Sequence, residues 1–205
     1  GADIVDVGGE STRPPSLYAG SEPVTEREEL ARVMPVIEAL APVLSVPISI
    51  DTYKARVAAR ALAAGAAMVN DTRGFRGDAD MARVVVEAGV PVVLMHNQDH
   101  TRYTDLVPDV LASLQTSLAQ ALEAGIPSEN VILDPGLGFG KGPEHSLEIL
   151  RRLEEFKALN MPILVGMSRK STIGLVLDLP VEERLEGTAA TVALAIANGA
   201  DIVRV

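Results

Sequence analysis

The polar and titratable residues of this 205-residue chain gather directly after its short apolar runs. "DIVDV" leads into "GGESTRPPS", "VPISI" into "DTYK", and "AAMV" into "NDTRGF". Further on, "PVVLM" leads into "HNQDHT", "NVIL" into "DPGLGFGKG", and "PILVGM" into "SRKST". Asp51, Asn70 and Asp134 each follow such a run directly, where hydration should be poor. A buried carboxylate is costly unless it accepts hydrogen bonds. A heterocycle with an amidine-like N–H edge would satisfy two carboxylates and an amide oxygen together. The competing reading makes Asp51 the cap of a helix beginning near Tyr53, and Asp134 the cap of a turn before Pro135. Three such residues at equivalent places favour a ligand site over three separate caps.

Cations complete the pattern. Arg169 and Lys170 stand side by side in "GMSRKST". Ser168 is placed to cap the helix that follows, whose N-terminus favours an anion. Lys170, opposite the acids and the amide, is in reach of a ring carbonyl or nitrogen; the alternative pairs either cation with a helix glutamate such as Glu186. Arg204 adds a cation on the last apolar run. In "GESTRP", Arg13 offers a planar fork for phosphate or carboxylate, in a loop stiffened by Pro14 and Pro15. "DPGLGFGKG" allows close backbone approach to a ligand, and Phe139 within it would make a stacking wall. The loop is not a Walker A sequence, because the Gly-Lys-Ser/Thr ending is absent. His96 and His100, with Asp99, make only a weak metal signature. The set as a whole points to an electron-rich ring flanked by anionic groups.

These residues need elements to carry them. Seven Val/Ile runs read as strands: 3–7, 46–50, 67–69, 90–95, 131–133, 162–165 and 202–205. Helical periodicity lies between them, at about 26–43, 53–64, 78–88, 106–124, 143–158 and 182–198. Thr25 with Glu28 and the start of "DADMARVV" at Asp78 read as helix starts. Gly65, Gly89, Gly125 and Gly199 read as helix ends. Strand–helix alternation implies parallel strands joined by right-handed crossovers. A (β/α)8 TIM barrel needs eight strands and typically about 250 residues. The expectation is a single α/β domain over 1–205: a barrel lacking its first strand–helix unit and its last helix, with an open doubly wound sheet as the alternative. Gly1 in place of an initiator Met fits a chain cut from something longer.

Composition limits the function classes. Hydrophobic residues make up 47% and aromatics 3%, which suits buried parallel strands under Ala-rich helices. A net charge of −10 argues against nucleic-acid binding, which usually needs a basic stripe. The absence of cysteine excludes disulfides and thiolate metal sites and is compatible with the cytoplasm. No apolar run reaches the length of a membrane span.

With these residues assembled, the chain resembles the dihydropteroate synthase family of pterin-binding TIM barrels. The motifs are "DVGGESTRP", "SIDTYK", "VND", "LDPGLGFGK", "GMSRKS" and "GTAATVALAIANGADIVRV", in family order across the chain. The resemblance implies a transferase of folate biosynthesis, and a sulfonamide target. It would join 4-aminobenzoate to 6-hydroxymethyl-7,8-dihydropterin pyrophosphate in an SN1-like step, with Mg2+ assisting pyrophosphate departure. It implies that Asp51, Asn70, Asp134 and Lys170 bind pterin, that Gly166 floors the pocket, and that Met95 and Phe139 flank the ring. Thr12 and Arg13 fall on the family's second loop, which helps order substrates and pyrophosphate. Ser168 and Lys170, with Thr12, match the aminobenzoate contacts, and Arg204 the pyrophosphate ligand. A cytoplasmic homodimer is the family habit.

The family's first-strand loop, with its Mg2+-binding Asn, has no counterpart here, nor does the His two residues after Arg204. "MHNQDHT" and Pro15 also depart from the family pattern. Two other readings remain: a pterin-dependent methyltransferase, which should lack the STRP loop and the SRK cations, and a non-catalytic protein that only binds pterin.

Overall fold

Strand and helix alternate along the chain from end to end. The structure is a computed structural model, and it describes residues 1–14 and 23–205; Pro15 therefore lies outside the described residues. The elements are β1 (Val5–Gly8), α1 (Glu26–Leu40), β2 (Ile48–Asp51), α2 (Ala55–Ala63), β3 (Met68–Asp71), α3 (Met81–Ala88) and β4 (Val92–Met95). They continue with α4 (Leu106–Glu123), β5 (Val131–Asp134), α5 (Pro143–Arg151), β6 (Leu164–Gly166), α6 (Ser171–Leu177), α7 (Leu185–Ala197) and β7 (Ile202–Arg204). All pairings are parallel. The first five strands form one sheet in chain order, β6 pairs with β7, and a single bridge from Leu133 to Ile163 joins the two groups.

Side chains alternate across a strand with period two, and here the two faces have separate roles. One face of each strand packs outward on the helices: Ile50, Val69, Leu94, Leu133 and Val165 join the main core with Val57, Leu114, Ile149 and Phe156. The other face turns inward. Met68, Val93 and Leu164 form a second, smaller cluster with Ile4, Ile132 and Ile202 packed against it. Residues of six strands meet there, from β3 to β6 and β7 and from the approach to β1. A flat sheet cannot bring them together, so the strands curve into a barrel and the open doubly wound alternative is set aside. β7 and β1 are linked at their C-terminal ends by a side chain, as Arg204 Nε reaches Asp6 Oδ2 at 2.7 Å. Beside this seam runs a cleft of about 660 Å³, lined by Ile4, Asp6, Asn70, Leu164 and Arg204 among others.

The termini of the elements obey local chemistry. Thr25 Oγ1 accepts the Glu28 N–H at 3.3 Å, capping α1. Gly65, Gly89, Gly125 and Gly199 all take positive φ at helix ends, as the sequence predicts. Asp78 does not start α3, whose cap position belongs to Asp80. Instead its Oδ2 accepts the Ala55 N–H at 2.9 Å, serving the start of α2. The run predicted as one helix over 143–158 is α5 followed by a 3-10 segment at Leu153–Leu159. α6, the helix expected after Ser168, has only seven residues, too few to stand out by periodicity.

The turns after β1 and β2 are fastened by a buried ion cluster. Lys54 Nζ lies between the carboxylates of Glu10 and Glu29, whose side chains are 5% and 1% exposed. Tyr53 donates its hydroxyl to Glu10 at 3.1 Å. Removing one member of a buried ion group costs more than the group contributes, because charge is left unpaired. Lys54→Met should therefore lower the unfolding free energy by about 3–5 kcal/mol, read by chemical denaturation at neutral pH. A loss under about 0.5 kcal/mol, typical of a surface change, would show that the two carboxylates find other partners.

Candidate functional site

In each strand, the residue two beyond the inner apolar position also points inward, now at the C-terminal mouth. Met68 is followed by Asn70, Val93 by Met95, Ile132 by Asp134, Leu164 by Gly166, and Ile202 by Arg204. Ser49 on β2 is followed likewise by Asp51. The register joins these positions sideways: Asp51 opposite Asn70, Met95 opposite Asp134, and Gly166 opposite Arg204. Asp51 and Asp134, expected just after their strands, are thus the last members of β2 and β5, and Asn70 lies within β3; β1, β2, β3, β5 and β6 run one or two residues further than the apolar runs indicate. Asn70 and Asp71 show the division: Asn70 faces the mouth, while Asp71 turns away and accepts the N–H groups of Arg73 and Phe75 at 2.8 and 2.7 Å.

Asp51 does not cap a helix, since α2 begins after Lys54 with no side-chain cap. Its Oδ1 is buried without a partner among the described residues, and its Oδ2 meets Arg204 at 3.4 Å. Burial, with the neighbouring Asp6 carboxylate, pushes its pKa up to about 8, against the pull of Arg204. Asp134 caps the turn after β5, as one of its two expected roles requires. Its Oδ1 accepts the Gly136 N–H at 2.7 Å, and burial raises its pKa while Lys170 beside it lowers it.

Lys170 extends over the mouth from the start of α6. Its Nζ donates to the Leu137 carbonyl and lies 5.0 Å from the centre of the Phe139 ring. Burial lowers its pKa to about 8; Asp134 counters this, while Arg13 and Arg204 add to it. Arg13 therefore belongs to the same electrostatic field. Thr12 is buried, and its carbonyl accepts from Asn97 Nδ2 at 3.2 Å. Gly166 leaves room where Lys170 and Arg204 converge: a Cβ there would stand 3.8 Å from Lys170 Nζ and 3.7 Å from Arg204 Cβ.

One expected role is corrected. Ser168 does not cap the following helix: α6 starts at Ser171, and its cap position is Lys170. The tight turn in between, with Arg169 at φ 47°, leaves Ser168 two residues short of the cap. His96 and His100 also separate. His96 is buried and sits 2.6 Å from Lys141 Nζ, while His100 is exposed. Among the described residues no cluster of acids and histidines is arranged to hold a metal ion.

Asp6 is a site residue that sequence reading missed. Its Oδ2 accepts from Asn70 Nδ2 at 3.2 Å and from Arg204 Nε, and its Oδ1 is buried without a partner. The signal was available: Asp6 lies two residues before Gly8, whose register partner is Asp51. Counting back by two from a site residue gives the next inward position.

Inward acids, an amide and cations at the C-terminal mouth of a parallel α/β barrel define a barrel enzyme with a ligand site at the strand ends. The chain belongs to the pterin binding enzyme family, whose sequence model matches residues 1–205. Dihydropteroate synthases of Clostridium beijerinckii and Bacillus subtilis are each 53% identical to it, over all of this chain and 75% and 70% of their own lengths. A dihydropteroate synthase structure from Clostridium difficile, in the presence of pteroic acid, superposes with a TM-score of 0.94 at 51% identity. One from Xanthomonas albilineans, with 4-aminobenzoic acid, gives 0.94 at 40%. Both superpositions cover all of this chain, and 76% and 73% of the other.

The raised pKa of Asp51 has a measurable consequence. The unfolded chain releases this proton near pH 3.8, whereas the folded chain holds it to about 8. The stability tied to the protonated acid is complete below pH 3.8 and drains away as pH rises to about 8. Asp51→Asn keeps a neutral side chain throughout. The variant should melt higher than the parent at mildly alkaline pH and lose most of the slope of stability between the two values. Identical melting profiles would mean that Arg204 keeps Asp51 ionised.

Proposed function

We propose that this chain is a dihydropteroate synthase, joining 4-aminobenzoate to 6-hydroxymethyl-7,8-dihydropterin pyrophosphate. The observation that carries the proposal is the inward set of Asp51, Asn70, Asp134 and Lys170 on one mouth. Pterin has an N–H-rich amidine-like edge. It supplies donors to the buried oxygens of Asp51 and Asp6, and favours the ionised form of Asp51. Lys170 serves a ring carbonyl or nitrogen. Met95 and Phe139 flank the ring, and Gly166 leaves space beneath it.

The chemistry asks for little from the protein beyond position and charge. The carbon–oxygen bond between the pterin methylene and the diphosphate breaks, and the electron pair leaves with the diphosphate. Arg204 and Arg13 receive that anion. The methylene cation is stabilised by the electron-rich ring and the acids around it. The aniline nitrogen of aminobenzoate then forms the new carbon–nitrogen bond and releases a proton. Thr12, Ser168 and Lys170 line the side from which it approaches. Magnesium enters this reading as the family's requirement; the described residues do not form a carboxylate site for it, and no step is derived through it. A cytoplasmic place of work is part of the proposal and rests on the resemblance.

The presence of "STRP" and "SRK" favours this reaction over pterin-dependent methyl transfer, which has neither pyrophosphate nor benzoate to hold. The test is release of pyrophosphate on incubation with both substrates and Mg2+. Pterin binding without release would assign the chain as a binding protein. Asp134→Asn should weaken pterin binding at least about tenfold, since a charge-assisted hydrogen bond contributes roughly 1.5–3 kcal/mol. Unchanged affinity in a titration would return Asp134 to its turn alone.

We also propose a homodimer. Leu175, Val176 and Leu177 of α6, with Val181 and Leu185 beyond it, are all exposed. Contiguous apolar surface of this kind marks an interaction site, and a second copy is the occupant the family resemblance implies. Leu185→Glu should shift the mass found by light scattering from dimer to monomer. A wild-type monomer at the same concentration would overturn the assignment.

A further inference from the structure

Lys141 is the most deeply buried cation of the described chain that the proposed reaction does not use; it is 2% exposed. Both of its hydrogen-bond partners are uncharged. Nζ lies 2.6 Å from His96 Nδ1 and donates to the Phe139 carbonyl at 3.1 Å. Burial drives the ammonium well below the usual lysine range, opposed by the charge of Asp134. Burial, with Lys141 next, holds His96 down to about 2, so the imidazole is neutral. A neutral ring that accepts at Nδ1 carries its proton on Nε2. An apolar side chain in this place would fold at lower cost than a buried, uncompensated cation. The lysine therefore needs a reason beyond packing.

Its two partners supply one. His96 directly follows Met95 on β4, and Phe139 lies two residues before Lys141 in the loop after β5. These are the residues read as the two walls of the pterin slot. The backbones of the same two loops are in direct contact: a Cβ on Gly136 would overlap the His96 carbonyl, and one on Gly140 would overlap the Gln98 carbonyl. Tyr103 adds a third tie by donating to the Gly140 carbonyl at 2.7 Å.

We propose that Lys141 is a positioning residue for the pterin site: by holding His96 and the Phe139 carbonyl on one ammonium, it sets the separation of the Met95 and Phe139 walls. Lys141 does not touch the ring. Its effect falls on the pterin and not on aminobenzoate, whose side of the mouth is built from other loops. The inference rests on the pterin reading of the site.

The test uses Lys141→Met, which keeps the length and removes the donors. Pteroic acid is titrated against both proteins, steady-state constants are taken for both substrates, and the His96 ring is followed by 15N NMR. The expected result is pterin affinity weakened about tenfold, the scale of one lost charge-assisted hydrogen bond. The KM for the pterin substrate should rise in parallel, and that for aminobenzoate should stay within about twofold. The His96 ring should lose its single Nε2–H tautomer, while the melting temperature holds or rises. His96→Gln, which still offers an acceptor, should bind more tightly than His96→Leu, and this pair carries the test if Lys141→Met does not fold. A folded Lys141→Met that binds pteroic acid as the parent does overturns the inference, as do equal affinities for the two His96 variants. A parent chain that binds no pteroic acid overturns the functional reading and this inference with it.

Discussion

The alternation of side chains along seven short parallel strands is the constraint on which the molecule depends. Each strand has only three or four residues, so each presents one or two positions to the barrel interior. The lower positions are apolar and close the floor; the upper ones are Asp, Asn, Met, Gly and Arg, and form the mouth. A one-residue slip in any strand would exchange a site residue for a core residue. The outward neighbours that prevent this, Ile50, Val69, Leu94 and Leu133, are almost fully buried under the helices. The helical layer thus fixes which residues the ligand meets.

That alternation also decides the electrostatics. Asp6, Asp51 and Asp134 stand on one rim with Lys170 and Arg204, too deep in the protein for full hydration. Acids are pushed up and Lys170 is pushed down by the same burial. Two acid oxygens have no donor among the described residues. Buried acids of this kind cost stability unless they accept hydrogen bonds, and the proposed N–H-rich ligand would offset that cost. Stability and recognition draw here on the same carboxylates.

Much of this was legible in the sequence. The βα rhythm, the helix-ending glycines and the polar tails of the apolar runs placed six strands' worth of chemistry at one mouth, and the motif order pointed to one family. What was not legible involved partners distant in the chain. Asp6 owes its place in the mouth to Asn70 and Arg204, 64 and 198 residues away in the chain. Asp78 looked like a local cap and serves a helix 23 residues earlier. Lys54, Glu10 and Glu29 come from three different elements. Ser168 was misjudged for a local reason: the left-handed turn at Arg169 moves the helix start by two residues, and no side-chain pattern announces it.

The glycine contacts between the loops after β4 and β5 have an evolutionary reading. At Gly136 and Gly140 the opposing surface is main chain, so no compensating substitution across the gap can open room for a side chain. Both positions are closed to a side chain in this fold. Change at the mouth is left to positions such as Gly166, where a Cβ would meet Arg204 Cβ and Lys170 Nζ at 3.7 and 3.8 Å.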